Sequence, residues 1–259
     1  VSSPEILLAA AATVTKNIKL GSAVTVLSST DPVKVYQNFA MVDLLSNGRA
    51  EIMAGRGSFI ESFPLFGYNL EDYNKLFIEK LNLLLKINAE ETVNWSGEFR
   101  APLHNQQVLP RTVNNQLPVW VAVGGTTESV VRTAKLGLPL MIAIIGGNPA
   151  NFKPFFDLYK QEYQKNGHDM ANYQVGIHSH ALFGENKDEI AEKYYPYYAA
   201  QMDRIGKSRG WPPYHKRQFD LGRSPNGAIF VGDAQEAIDK ILYQQELFGL
   251  TRFAAHMDV

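Results

Sequence analysis

The feature that most restricts how this chain folds is a rhythm. Short, nearly continuous apolar runs, the kind that form strands buried on both faces, alternate with longer segments whose apolar residues recur every three or four positions. "SSPEILLAAAATVT" predicts a helix with Ser3 as its cap and Pro4 at its first position, and "IKLGSAVTVL" predicts the strand that follows. A helix over 32–46, closed by Asn47 and Gly48, leads into a strand over 50–55. Tyr73, Phe77, Leu81 and Leu84 mark a helix over 71–88, and Leu76, Leu83 and Ile87 widen its buried face. From residue 118 the alternation is regular: strand "PVWVAVGG", helix "TTESVVRTAKLG", strand "PLMIAIIGG", helix "NPANFKPFFDLYKQEYQKNG", strand "YQVGIHSHALFG" and a helix over 188–205. A helix opened by Asp233 and Glu236 in capping-box spacing and a last strand in "TRFAAHMDV" complete the series. Six strands, each with a helix, predict a parallel sheet clothed by helices.

Two segments interrupt the rhythm. Residues 91–117 read as a short hairpin around Ser96 and Gly97 followed by a polar loop. Residues 204–227 are basic, rich in Pro and Gly, and too long for a simple connector. Both are expected as insertions in a single α/β domain spanning 1–259.

Composition narrows the partners. The 259 residues are 45% hydrophobic, enough for a sizeable core, and 25 Lys and Arg against 26 Asp and Glu leave a formal charge of -1. No global field recruits nucleic acid or an anionic membrane, so neither is expected as a partner and any anion site must be local. The absence of cysteine excludes disulfides, thiolate metal sites and a cysteine nucleophile, and fits a reducing cytoplasm. Apolar runs such as "LPLMIAII" fall short of the roughly 20 residues a membrane span needs.

A parallel strand and helix series closes as an open doubly wound sheet or as an eight-stranded barrel. The dinucleotide fingerprint is absent, because Ile60 stands at the third glycine position of "GRGSFIES" and "GGTTES" fails likewise; no phosphate-binding P-loop occurs either. The chain opens on a helix followed by a strand, and two strand–helix units upstream would complete a (β/α)8 TIM barrel. The fold expected is therefore such a barrel with its first two β/α units missing from this chain.

In either closure ligands bind at the carboxyl ends of the strands, which singles out two exits. In "AGRGSF" the glycines permit a sharp turn, and Arg56 is suited to hold a phosphate bidentately or, as a structural corner, to pair with Glu51 or Glu61. Gly124, Gly125, Thr126, Thr127, Glu128 and Ser129 carry a strand into a helix N-terminus, where free N–H groups and the dipole favour an anion. The alternative there is a flexible turn with Thr126 or Thr127 as an ordinary cap. His178 and His180 share one face of a strand and suit substrate contact or acid–base work as well as a structural role; without a matching carboxylate they predict no metal site. Phe59, Phe63 and Phe66 near a strand end suit an apolar substrate or ordinary packing. The basic run of Arg204, Lys207, Arg209, Lys216, Arg217 and Arg223 reads as a solvated face or as a lid over an anionic cofactor.

These residues resemble a known family. "IKLGSAVTVLSSTDPVKVYQNFAMVDLLSNGRAEIMAGRGSFIESFPLFG" and "PVWVAVGGTTESVVRTAKLGLPLMIAIIGG" are similar, in order, to the bacterial luciferase-like monooxygenases, flavin-dependent enzymes on an eight-stranded barrel. The resemblance implies that reduced FMN, supplied by a separate flavin reductase, binds at the strand ends and uses O2 to oxygenate a small apolar organic substrate. It places Arg56 at the phosphate-binding arginine and Gly124, Gly125, Thr126 and Ser129 in the segment that completes the phosphate site. Ala23 and Val24 match a strand end where the family often carries a non-prolyl cis peptide beside the flavin ring. The family's catalytic histidine lies on a strand before Val1, so no catalytic residue is assigned, and a homodimer is implied. Alternatives are a hydride-transferring enzyme of the same superfamily that uses the deazaflavin F420, and a non-catalytic flavin-binding partner subunit.

Overall fold

The computed structural model describes residues 3–57, 60–207 and 209–257. The chain divides into two compact units, Val1–Ala122 and Val123–Val259.

The first unit opens with α1 (Pro4–Val14), β1 (Leu20–Val26), α2 (Pro32–Ser46) and β2 (Ala50–Gly55). Pro4 starts α1 as expected, but the Ser3 side chain makes no capping bond, so proline geometry alone marks the start. Asp31 does cap α2: its Oδ1 accepts the N–H of Val33 at 2.9 Å and of Lys34 at 3.3 Å. Asn47 closes the helix in the left-handed conformation, φ 56°. Arg49 then fastens the neighbouring turns, donating to the carbonyls of Ala12 (3.1 Å), Thr15 (2.8 Å) and Ile18 (2.6 Å). A short helix, α3 (Ser62–Leu65), and the long α4 (Tyr73–Ala89) follow, then β3 (Thr92–Trp95), β4 (Leu103–Gln107) and β5 (Val119–Val123), whose last residue opens the second unit. β1 pairs with β2 and β2 with β5, both parallel, and every residue of β2 is buried. β3 and β4 form the expected hairpin, Thr92 opposite Gln107 and Trp95 opposite Leu103. The predicted stripe of α4 is buried from Leu76 to Ile87, with Tyr73 half-buried, and Lys80 lies within it.

The second unit continues with α5 (Thr127–Lys135), β6 (Leu140–Ala143), α6 (Lys153–Lys165), β7 (Val175–Phe183), α7 (Lys187–Lys207), α8 (Lys216–Arg223), β8 (Phe230–Gly232), α9 (Ala234–Phe248) and β9 (Arg252–His256). β7 is the organising strand. It pairs in parallel with β6 from Leu140↔Val175 to Ala143↔His178, with β9 from Gly176↔Arg252 to His180↔His256, and with β8 from Ala181↔Phe230 to Phe183↔Gly232. β8 corrects the expected count: the described residues hold seven parallel strands, not six. At three residues, wedged between the turn at Gly227 and the Asp233 cap, it is too short to print a periodicity. Asp233 does cap α9, accepting the Glu236 N–H at 2.9 Å.

The two faces of β7 differ. Ile177, Ser179 and Ala181 are fully buried, and their register partners Phe253 and Phe230 touch, centroids 4.6 Å apart, with the α9 ammonium of Lys240 5.0 Å from the Phe230 ring. That face looks to α9, and His178, His180 and Leu182 point the other way. The insertion at 204–227 also holds a helix that its composition does not predict. This is α8, whose Phe219 is buried with Tyr194, Tyr198, Ile229 and Val231. No helix of the described residues is long and apolar enough to cross a membrane.

Candidate functional site at the strand exits

The glycines after β2 have a steric cause. A Cβ on Gly55 would stand 2.7 Å from Val24 Cγ2 and 2.9 Å from Val24 Cβ; one on Gly57, at φ +78°, would stand 2.9 Å from Val26 Cγ1. The exit of β2 thus runs against the second half of β1, where the Ala23–Val24 peptide is cis and the register to β2 slips by one residue. Between the glycines Arg56, half-buried, donates from Nη1 to Asn74 Oδ1 at 2.6 Å, and its guanidinium lies 5.1 Å from the Tyr73 ring centroid. The Tyr73 hydroxyl in turn donates to the Gly57 carbonyl at 2.6 Å, and its ring packs 5.6 Å from Phe63. The first turn of α4 therefore grips the exit at both the charge and the backbone. Phe63 is buried and Phe66 largely exposed, while Phe59 lies outside the described residues.

Lys80 is a group that pattern reading missed. Its Nζ donates to the Ser28 carbonyl at 2.7 Å, in the turn just after β1, and lies 3.9 Å from the Tyr68 ring centroid. Burial outweighs nearby Asp31 and Glu79 and pushes its ammonium down to about 8. The signal was its spacing, four residues from both Leu76 and Leu84 on the buried stripe.

The exit after β5 is built differently. A Cβ on Gly124 would meet nothing within 4 Å, and Gly125 takes φ +98°, a conformation that favours glycine. Thr126 occupies the N-cap position of α5, yet its hydroxyl donates to Ser129 Oγ at 2.8 Å and makes no capping bond to the helix N–H groups. Ser129 Oγ also accepts from Arg132 Nη2 at 3.0 Å. Backbone N–H groups, two hydroxyls and a guanidinium thus gather at one helix start, a donor set suited to an oxyanion. Thr127 and Glu128 are exposed.

The histidines separate into two kinds. His104 lies on exposed β4, His168 packs against Tyr163 in a tilted arrangement at 4.9 Å and contacts the Lys135 carbonyl at 3.0 Å, and His215 caps α8. His178 and His180 are joined by His256, which sequence reading left unconnected because the pairing of β9 with β7 is not visible in either strand. The ring of His256 stacks on His178 at 4.9 Å and on His180 at 5.0 Å. Among the described residues no group of three His, Cys, Asp or Glu is arranged to hold a metal ion.

A family model described as luciferase-like monooxygenase matches residues 2–251. The chain belongs to that family. Among curated relatives, the alkanal monooxygenase alpha chain of Photobacterium leiognathi is 25% identical over 184 residues, 70% of this chain and 51% of its own length. That of a Kryptophanaron alfredi symbiont is 26% identical over 159 residues, 61% of this chain and 44% of the relative. The chain spans about half the length of these luciferase-like relatives or less. Solved structures agree on the fold. Monooxygenase RslO1 from Streptomyces bottropensis superposes with a TM-score of 0.80 at 24% identity, covering 99% of this chain and 75% of its own. The oxygenating constituent of 3,6-diketocamphane monooxygenase from Pseudomonas putida, in complex with FMN, gives 0.74 at 19% identity over 98% and 77%. An F420-dependent secondary alcohol dehydrogenase gives 0.79 at 15% identity over 97% and 77%. The chain is an α/β member of the luciferase-like family of oxidoreductases, and of these three neighbours one is in complex with FMN and another is F420-dependent.

Proposed function

We propose that this chain carries the cofactor-binding part of a flavin-dependent monooxygenase that uses reduced FMN and O2 to oxygenate a small, apolar organic substrate. The observation that carries this reading is the gripped guanidinium of Arg56 at a strand exit. Family membership supplies its context. Arg56 contributes the fixed cation for the cofactor's phosphate. Gly124, Gly125, Thr126 and Ser129 offer backbone N–H groups and hydroxyls suited to a phosphate, and the open space beside Gly124 accommodates a ligand against the backbone. Ala23 and Val24, within β1, present their backbone to the ring. When bound, the cofactor supplies the oxygen chemistry; the protein's task is to hold it, orient it and exclude water. A flavin reductase delivers it reduced.

A second reading, an F420-dependent hydride transfer, is favoured by the likeness to the F420-dependent secondary alcohol dehydrogenase. A phosphate site at these exits serves either cofactor. Titration of the protein with FMN and with F420, followed by absorbance and by fluorescence quenching, separates them. Saturable binding of FMN at micromolar concentration with none of F420 is expected; the reverse order transfers the reading to hydride transfer, and binding of neither overturns both.

A further inference from the structure

The imidazoles of β7 and β9 have no part in phosphate recognition. His178, His256 and His180 form a ladder, with successive centroids 4.9 and 5.0 Å apart and ring planes inclined by only 26° and 18°. Register explains it. His256, the last residue of β9, lies opposite His180, and His178 precedes His180 by one strand repeat, so all three stand on the face turned away from α9. Their neighbours on that face are small or apolar, namely Gly176, Met141, Ala143 and Ala254, apart from Arg252, among the described residues of β6 and β9 and the start of β7. Tyr198 of α7 meets His180 edge-on at 5.2 Å, with Tyr214 a further 5.4 Å behind it. His180 is 6% exposed, whereas His178 and His256 are half-buried.

A strand packed only for stability places apolar side chains at such positions, because each buried imidazole carries a polar atom that must be satisfied. Three in contact, at the carboxyl end of β9 where barrel folds bind their ligands, describe a working site. We propose that this ladder binds the oxygen of the organic substrate, a carbonyl or hydroxyl compound, and exchanges a proton with it. In one direction an imidazolium N–H bond breaks, its electron pair stays on nitrogen, and an O–H bond forms on the substrate; in the other a neutral ring takes the proton from the hydroxyl. The inference rests on the oxidoreductase reading for the presence of a substrate, but on no particular cofactor.

The test uses the whole chain. Ring 1H–15N signals of the cofactor-free protein are followed while octanal, a ketone of equal length and octanol are added in turn, and His178 and His256 are expected to shift. His256→Phe keeps a stacked ring and removes both nitrogens; it should lower kcat about 100-fold while flavin affinity stays within twofold. His256→Gln, with a hydrogen-bonding amide but no ring, should show the same loss. Ring signals unmoved by all three probes, or a His256→Phe enzyme with undiminished kcat, overturn the proposal. Ring shifts in a protein that binds neither flavin nor deazaflavin sustain the ladder and fail the cofactor reading instead.

Discussion

The exits from β2 and β5 are both built on glycines, and they use them for opposite reasons. Gly55 and Gly57 are glycines because a neighbour is in the way: Val24 and Val26 occupy the space where a side chain would begin. Gly124 has empty space in that direction, and Gly125 is needed for its positive φ. The charges follow suit. Arg56 is fixed by Asn74 and by the Tyr73 ring, whose hydroxyl also pins the Gly57 carbonyl. The donors at the second exit are backbone N–H groups of the helix start, the Thr126 and Ser129 hydroxyls, which bond each other, and the Arg132 guanidinium, which donates to Ser129. One exit offers a pre-organised cation and the other a set of adaptable donors, and pre-organisation lowers the entropy lost when a ligand is held.

Glycine substitution gives the largest effect by which that contrast can be broken. Gly55→Ala should destabilise the protein by about 3 kcal/mol, because the clash is with the branched root of Val24 rather than with a flexible tip. Gly124→Ala should cost less than about 0.5 kcal/mol. Urea unfolding of the two variants checks this, and equal losses would remove the steric account of the first exit. The next effect is on binding. Arg56→Ala should weaken FMN by about 2 kcal/mol, on the order of 30-fold, the scale of a charge-assisted hydrogen bond. Unchanged affinity sinks the role given to Arg56. Tyr73→Phe keeps the ring beneath the guanidinium and removes only the bond to the Gly57 carbonyl, so the loss should be about 1 kcal/mol in stability with a smaller fall in affinity. Isothermal titration of both variants separates the charge from the device that aims it.

Much of this was legible in the sequence, and the reasons are local. A strand buried on both faces writes a continuous apolar run, so β2 and β5 announced themselves. The Asp31 and Asn47 boundaries of α2 follow from the chemistry of a cap and a left-handed residue. What stayed hidden depends on residues far apart in the chain. Nothing near Gly55 reveals Val24 against it, nothing near Arg56 reveals that Asn74 and Tyr73 receive it, and β7 and β9 give no sign that their histidines meet. The helix α8 was masked by composition: a basic run rich in Pro and Gly reads as a loop, yet one apolar residue, Phe219, suffices to anchor it to the cluster around Tyr194 and Tyr198.

The smallest expected effect concerns buried cations, where the two units again solve one problem differently. Lys80 in the first unit has one carbonyl, that of Ser28, and the Tyr68 ring. Lys240 in the second donates to the carbonyls of Ile229 (2.7 Å), Arg223 (3.3 Å) and Gly222 (3.4 Å) and lies near the Phe230 ring. Burial pushes both ammonium groups down to about 8 from an ordinary 10.5. Between those values the unfolded chain holds more protons than the folded one, so the cost of burying each charge is fully present below pH 8 and falls as pH rises toward 10.5. Stability should therefore increase between pH 8 and 9.5 by up to about 1 kcal/mol per pH unit for each lysine. Above that range the buried Tyr173 and Tyr214, each pushed up to about 12 chiefly by burial, ionise first in the unfolded chain and turn the curve downward. Replacing either lysine by methionine should flatten its share of the rise. At pH 7.5 the two variants should part, because Lys80→Met leaves one carbonyl without its donor and Lys240→Met leaves three, so the second should be the less stable by about 1 kcal/mol. Denaturant unfolding at pH 7.5 and 9.5 measures both differences, and a parent curve that is flat over that interval would show that both ammonium groups titrate in the folded protein as they do in water.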